Sequence, residues 1–320
     1  MSRIRLLLAI LIAALGLGAC APVTPATGAR VVTLKIAILP LIDALPMYVA
    51  DQEGLFARQG VQVEFVPVGA APERDQLIAA GQADGMINET LSTFFFNKDQ
   101  PQVQIVRYAL KPTPRAGHFF ILASAQSGLT KPSDLKGVEI GISQGTIIEY
   151  VTERLLQAQG LSAADIKTVA VPKMADRLAL LTSGGLKAAV LPDPLAALAI
   201  QQGAVKIMDD AAYPQFGFSV ISFRKTVIDQ NPGAIRAFVT AIDEATQLIN
   251  ADPGKYTQLL SDKKLVPQPL LKTYQAPIFP AAGVPTAAEW QDALAWAKSK
   301  GLLNVDVPYE TSVNANFTRQ

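Results

Sequence analysis

A chain of 320 residues, half of them hydrophobic and 17% charged, is long enough for two core-bearing domains. Its formal net charge is +1, and no basic stripe is present to neutralise phosphates, which excludes a nucleic-acid binder. One cysteine and one histidine are too few for a disulfide framework or for a zinc or iron site.

The chain begins with a short basic segment, "MSRIR", followed by the apolar run "LLLAILIAALGLGA". That run is shorter than the roughly 20 residues of a spanning helix, and no basic stop-transfer flank follows it. Residues 1–19 therefore read as a signal peptide. Its end, "LGAC", resembles a bacterial lipobox, which makes Cys20 the site of lipidation; two or three acyl chains there would anchor firmly where one is marginal. Residues 20–30, rich in Pro, Thr and Ala, read as a flexible tether with a reach of about 15–20 Å.

Strands and helices then alternate. "TLKIAIL" has the apolar alternation of a buried strand, and Pro46 to about Gly60 is helical with an interruption at Gly54. "VQVEFVPV" is the next strand, and "APERDQLIAAG" is a helix with proline in its first turn and Gly81 past its end. "ADGMIN" ends as a strand, "ETLSTFFFNK" starts a helix, and "VQIVRYAL" and "HFFILAS" are strands. "VEIGIS" is a strand before the helix "GTIIEYVTERLLQAQG". The alternation continues through "IKTVAV", "MADRLALLTSGG", "KAAVL", "LAALAIQQG" and "AVKIM". This order implies an α/β class, with parallel sheets covered by helices. Past "FSVISFRK" the chain turns mostly helical, and Ile235, Phe238, Val239, Ile242 and Ile249 share one helical face.

Four stretches carry a family resemblance: "ALPMYVADQEGLFARQGVQVEF", "LIAAGQADGMIN", "KPSDLKGVEIGISQGT" and "LLTSGGLKAAVLPDP". In this order the chain resembles a solute-binding lipoprotein of an ABC importer. More narrowly, it resembles the branch that shares its fold with thiamine-pyrimidine synthases and includes nitrate, sulfonate, pyrimidine and riboflavin binders. The resemblance implies a two-lobed periplasmic-binding-protein fold. Residues 31–122 plus 218–320 would form one lobe and 123–217 the other, with two crossover strands as hinge. It also implies a permease partner in the cytoplasmic membrane, a small-molecule ligand, a monomer, and a lipid-anchored location on the extracytoplasmic side of the cell membrane.

Ligands of open α/β sheets bind beyond the carboxyl ends of the strands, so the loops there supply the candidate residues. "PLIDALPM" offers Asp43 as an acceptor and Met47 as an adaptable apolar contact; the alternative is that Asp43 organises the turn. Asn88, Glu89 and Thr90 follow the next strand as ligand contacts or as helix caps. Gly145 and Thr146 open a helix whose first backbone N–H groups suit a ligand oxygen. Asp193 and Pro194 form a stiff loop, and Tyr108 and Phe216 are stacking candidates near the hinge.

Catalysis is not expected. A Ser–His–Asp triad would have to use His118, the only histidine, and no G-x-S-x-G elbow is present. No P-loop or G-x-G-x-x-G opens a helix, so no cofactor is expected. The synthases of the resembling branch carry a cysteine-rich metal segment that this sequence lacks; a synthase-like enzyme remains the alternative of another class. Counting Asp43, Glu89 and Asp193 as cleft acids favours a heteroaromatic vitamin or precursor with N–H donors, such as a thiamine-type pyrimidine or riboflavin. A sulfonate or nitrate is the alternative.

Overall fold

The computed structural model describes residues 31–318. The signal peptide, the tether and the Cys20 anchor expected from the sequence lie outside them.

The alternation seen in the sequence becomes ten strands. In chain order the labelled elements begin β1 (Val32–Ile38), α1 (Leu45–Gln52), β2 (Val61–Pro67), α2 (Ala71–Ala79), β3 (Gly85–Asn88) and α3 (Thr90–Asn97). β4 (Val103–Leu110), β5 (Phe119–Ala123), β6 (Glu139–Ile142), α4 (Ile147–Ala158), β7 (Lys167–Ala170) and α5 (Met174–Ser183) follow. The rest are β8 (Ala188–Pro192), α6 (Leu195–Gln201), β9 (Val205–Asp209), β10 (Ser219–Arg224), α7 (Pro232–Ala251) and α8 (Ala287–Ser299). Pro46 and Pro72 mark the starts they were read to mark, and like Pro232 each falls in the first turn of a helix, where the missing N–H costs nothing. Gly54 takes φ +66°, the left-handed conformation that breaks the helix expected over 46–60.

The strands form two five-stranded sheets of the same plan, β2-β1-β3-β10-β4 and β7-β6-β8-β5-β9. In each, three parallel strands are followed by one that arrives from the other sheet and runs antiparallel: β10 beside β3, and β5 beside β8. The chain thus passes between sheets twice, between β4 and β5 and between β9 and β10. The lobe boundary expected after residue 122 falls inside β5, which pairs only within the second sheet. The first crossing is the segment 111–118 instead.

Burial fixes the layers. The face of α7 read from the sequence, from Ile235 to Ile249, is at most 1% exposed and packs with α1 and the first sheet. Each such Ile or Phe contributes on the order of 1.5–3 kcal/mol. A second core joins β5, β6 and β8 to α4 and α8, and it also takes in Phe94 of α3. Arg107 of β4 is buried, with hydrogen bonds to Asp243 (2.7 Å), Thr246, and the carbonyls of Tyr108 and Pro280. It ties the first sheet to α7 and to the C-terminal segment. Among the described residues no helix is long and apolar enough to cross a membrane.

Candidate functional site

The carboxyl ends of β1, β3 and β6 and the two crossings enclose a cavity of about 170 Å³. Most of its wall is apolar, with Leu39, Ile87, Phe119, Ile147, Met174 and Phe218 among the lining residues. A wider hollow of about 740 Å³ adjoins it, sharing Leu41, Gly69, Ala70 and Met174. Lys173, Lys264 and Pro194 line this outer hollow.

The polar groups of the inner cavity come from four places. Asp43, in the turn after β1, is buried; Ser219 Oγ donates to its Oδ2, and its Oδ1 lies 3.5 Å from His118 Nε2. That Oδ1 accepts no hydrogen bond. Burial pushes the Asp43 carboxyl up, but His118 and the Ser219 hydroxyl outweigh it and hold the carboxyl below its ordinary range. His118, at the end of the first crossing, holds Nδ1 2.9 Å from the Gly217 carbonyl. Burial disfavours its charge, yet Asp43 and then Asp210 raise the imidazole to about 9.

Asp210 receives the backbone N–H groups of His118 (2.7 Å) and Phe119 (3.1 Å), and burial pushes it up to about 6. Room for it depends on Gly217, where an added Cβ would stand 1.7 Å from Asp210 Oδ2. Ser219, Asp43 and His118 therefore meet, but in an order unsuited to nucleophilic catalysis. The serine hydroxyl is bonded to the carboxylate rather than to the imidazole that would have to take its proton.

From the first sheet come Asn88 and Glu89. Asn88 Oδ1 accepts from Ser222 Oγ at 2.7 Å, and its amide donates to Thr93 at 3.1 Å. Glu89 caps α3 by accepting the Ser92 N–H at 3.0 Å, and burial lifts its carboxyl to about 7 against the pull of Arg74. Arg74 projects from α2 into the wall, only 4% exposed. Its Nε donates to Asp75 (2.7 Å) and its Nη1 to the Ile87 carbonyl (3.2 Å), while Nη2 lies 2.7 Å from Asp75 Oδ1 in an ion pair and 3.9 Å from Glu89.

The second sheet supplies Ser143, Gln144 and Thr146 at the entry to α4. Thr146 Oγ1 caps the helix by accepting the Ile148 N–H at 3.2 Å. The Ser143 hydroxyl donates to the Pro172 carbonyl (3.2 Å) and accepts from Nη1 of Arg177 (3.1 Å).

Of the residues expected from the sequence, Asp43, Asn88, Glu89 and Thr146 line the cavity, and Pro194 lines the outer hollow. The others lie elsewhere for identifiable reasons. Met47 is on the inward face of α1 and belongs to the first core. Thr90 is fully buried in the first turn of α3. Tyr108 lies in β4 and donates to Glu289 at 2.7 Å, so it faces α8. Gly145 adopts φ +69° and gives its N–H to Glu149. Phe216 stacks on Tyr213 and meets Tyr150 edge-on in the second core. Asp193 accepts from the Tyr274 hydroxyl (2.5 Å) and lines a separate small hollow beside the first crossing.

Sequence reasoning missed Arg74 and Ser143 as wall residues and set His118 aside. One signal pointed to Arg74: it is four residues before Ile78, and these two are the buried positions of α2.

Two sheets joined by two crossings around a cavity at their carboxyl ends define a periplasmic-binding-protein fold. The chain belongs to the NMT1/THI5-like family, whose model matches residues 42–256. It is 26% identical over 164 residues to a putative aliphatic sulfonates-binding protein of Escherichia coli K12. That match takes in 51% of this chain and 50% of the relative, so the chain spans about half the length of the curated relative it matches. Among solved structures it is similar to the alkanesulfonate-binding protein SsuA of Xanthomonas axonopodis pv. citri bound to MOPS. The TM-score is 0.74 at 18% identity, covering 88% of this chain and 98% of that one. It is also similar to the desulfurization enzyme DszB, with a TM-score of 0.67 at 17% identity, covering 89% and 97%. At these identities the likeness is one of fold, and the fold by itself hosts both a binder and an enzyme.

Proposed function

We propose that the chain is the extracytoplasmic ligand-binding component of an ABC importer, and that it captures a small organic anion of the sulfonate type. Arg74 carries this reading: a guanidinium on a largely apolar wall, held at 2.7 Å by Asp75 and lining the cavity. A sulfonate with a short apolar tail suits such a wall, since oxyanion oxygens take guanidinium N–H groups well. The similarity to sulfonate-binding proteins supports the same class.

The heteroaromatic reading rested on three acids, and their placement weakens it. Asp193 lines a different hollow, Asp43 is engaged by Ser219 and His118, and Glu89 caps a helix with its carboxyl at about 7. One observation still favours that second reading: the contact of Asp43 Oδ1 with His118 Nε2 is long, 3.5 Å, and a ligand N–H would satisfy that oxygen better. The Ser–Asp–His order at the crossings supports binding without turnover. A permease partner, a monomeric state and a lipid anchor at Cys20 complete the proposal.

Titration calorimetry of the purified protein with alkanesulfonates, nitrate, a thiamine-type pyrimidine and riboflavin tests it. Heat from an alkanesulfonate and none from the vitamins is the expected result. Binding of a vitamin with silence from every anion overturns the anion reading. For the anchor, Cys20→Ser should move the protein out of the membrane fraction; a variant that still carries lipid by mass spectrometry refutes it.

A further inference from the structure

α5 holds a buried cation for which the described residues supply no counter-charge. Arg177 is 0% exposed. Its Nη1 donates to Ser143 Oγ, while Nε and Nη2 have no hydrogen-bond partner. Burial alone, with no carboxylate opposing it, draws the guanidinium down to about 10, so it stays protonated at neutral pH. The other buried arginines differ: Arg107 has Asp243, and Arg74 has Asp75. An uncompensated buried charge is costly, and such a group is a reservoir that an arriving ligand can relieve.

Its one partner indicates where the relief comes from. Ser143 follows β6 and lines the cavity. A guanidinium that donates to a hydroxyl oxygen polarises the O–H and makes it a stronger donor. At present that hydrogen points to the Pro172 carbonyl at 3.2 Å, a long contact for an O–H donor. A ligand oxyanion at the wall offers it a better acceptor. The seat of Arg177 is shaped by the sheet beneath it: at Gly141 an added Cβ would stand 2.5 Å from Leu186 and 3.5 Å from Arg177 Cγ.

We infer that Arg177 is a positioning and specificity-determining residue for an oxyanion held at Ser143: it acts through that hydroxyl and gives the second-sheet wall its surplus positive charge. The inference rests on the proposed anion-binding function. It places Ser143, at the entry of α4, as a second contact to the oxyanion that Arg74 faces from the first-sheet side, with the apolar remainder toward Phe119 and Phe218. A neutral acceptor gains less from this arrangement than an anionic one, so the wall favours anions.

The test uses the mature protein, ethanesulfonate as probe, and the variants Arg177→Met, Arg177→Lys and Ser143→Ala. Calorimetry gives the affinity, and a thermal melt without ligand gives the stability. Arg177→Met should bind ethanesulfonate at least tenfold more weakly and yet melt, without ligand, at or above the wild-type temperature. Loss of binding without loss of stability separates this role from a structural one. Arg177→Lys should recover part of the affinity, and Ser143→Ala should weaken binding severalfold and also lower the melt, because it removes the one hydrogen bond of buried Arg177. An Arg177→Met protein that melts lower and binds as wild type overturns the inference and leaves anion binding intact. A wild type that ignores every sulfonate overturns both. Ser143→Ala decides the matter even if Arg177→Met does not fold, because wild-type affinity in that variant removes the proposed contact.

Discussion

Replacing Glu89 by glutamine separates the two ligand classes and tests the electrostatics of the wall. Glutamine keeps an oxygen to accept the Ser92 N–H that Glu89 now accepts at 3.0 Å, so the cap survives. What goes is a carboxyl raised from 4.5 to about 7, mainly by burial. For an acid whose folded value lies above its unfolded one, the folded state holds the proton longer. Its contribution is therefore fully present below about pH 4.5 and is lost as pH rises through about 7. A step of that size corresponds to ~3 kcal/mol. Glu89→Gln should thus match wild type near pH 4.5 and exceed it by up to ~3 kcal/mol near pH 8 in urea denaturation. Binding follows the same logic. An anion beside Arg74 favours the protonated carboxyl, so wild-type affinity for a sulfonate should fall severalfold between about pH 6 and pH 8. The variant should bind more tightly at the upper end and lose that slope. A variant whose stability keeps the wild-type pH dependence refutes the burial argument. A variant that loses tenfold or more in affinity makes Glu89 a direct acceptor and returns the heteroaromatic reading.

Asp243→Asn leaves the buried Arg107 guanidinium without its carboxylate and should cost ~3–5 kcal/mol, read as a lower denaturation midpoint; a loss under about 1 kcal/mol would show that the pair is dispensable. Gly217→Ala drives a Cβ into Asp210 and should cost at least ~1–3 kcal/mol. A melt equal to wild type would mean that Asp210 readily leaves the His118 and Phe119 amides. Raising pH through about 9 should remove whatever stability the His118–Asp43 pair contributes, because a raised histidine is stabilising below its unfolded value near 6.5 and ceases to be so as it deprotonates. His118→Asn should flatten the stability profile over that range, and an unaltered profile in the variant would rule the pair out.

Much of the fold was legible because its signals are local. "TLKIAIL" and "KAAVL" could only be buried strands, and prolines and glycines marked the helix ends where they were read. The site was legible only where topology did the work: Asp43, Asn88, Glu89 and Thr146 all lie at or just past the carboxyl ends of parallel strands and line the cavity. Met47, Thr90 and Phe216 sit one turn or one loop away, and periodicity rather than proximity decided that they turn inward. The arginines were harder. "PERDQL" and "MADRLALL" look like solvated helices, yet Arg74 shares its buried face with Ile78, and Arg177 shares one with Leu181. In both helices the charge stands four residues before the buried aliphatic residue. A charged side chain in that register is the only trace a sequence leaves of a buried cation, because composition counts it as surface.

The C-terminal helix α8 gives the protein an optical gauge of its own. The chain has two tryptophans, and both are on this helix, facing different partners. Trp290 meets Phe94 of the first-sheet helix α3 edge-on, with ring centroids 4.5 Å apart. Trp296 donates its indole N–H to Glu153 of α4, beside the second sheet, and lies 5.5 Å from the Tyr150 ring. Any rotation of one sheet against the other must shear one of these contacts. It would change either the apolar packing around Trp290 or the polar environment of Trp296. Intrinsic emission, with no attached dye, therefore reads the seam between the sheets directly, and a single Trp→Phe exchange at either position tells which side has moved.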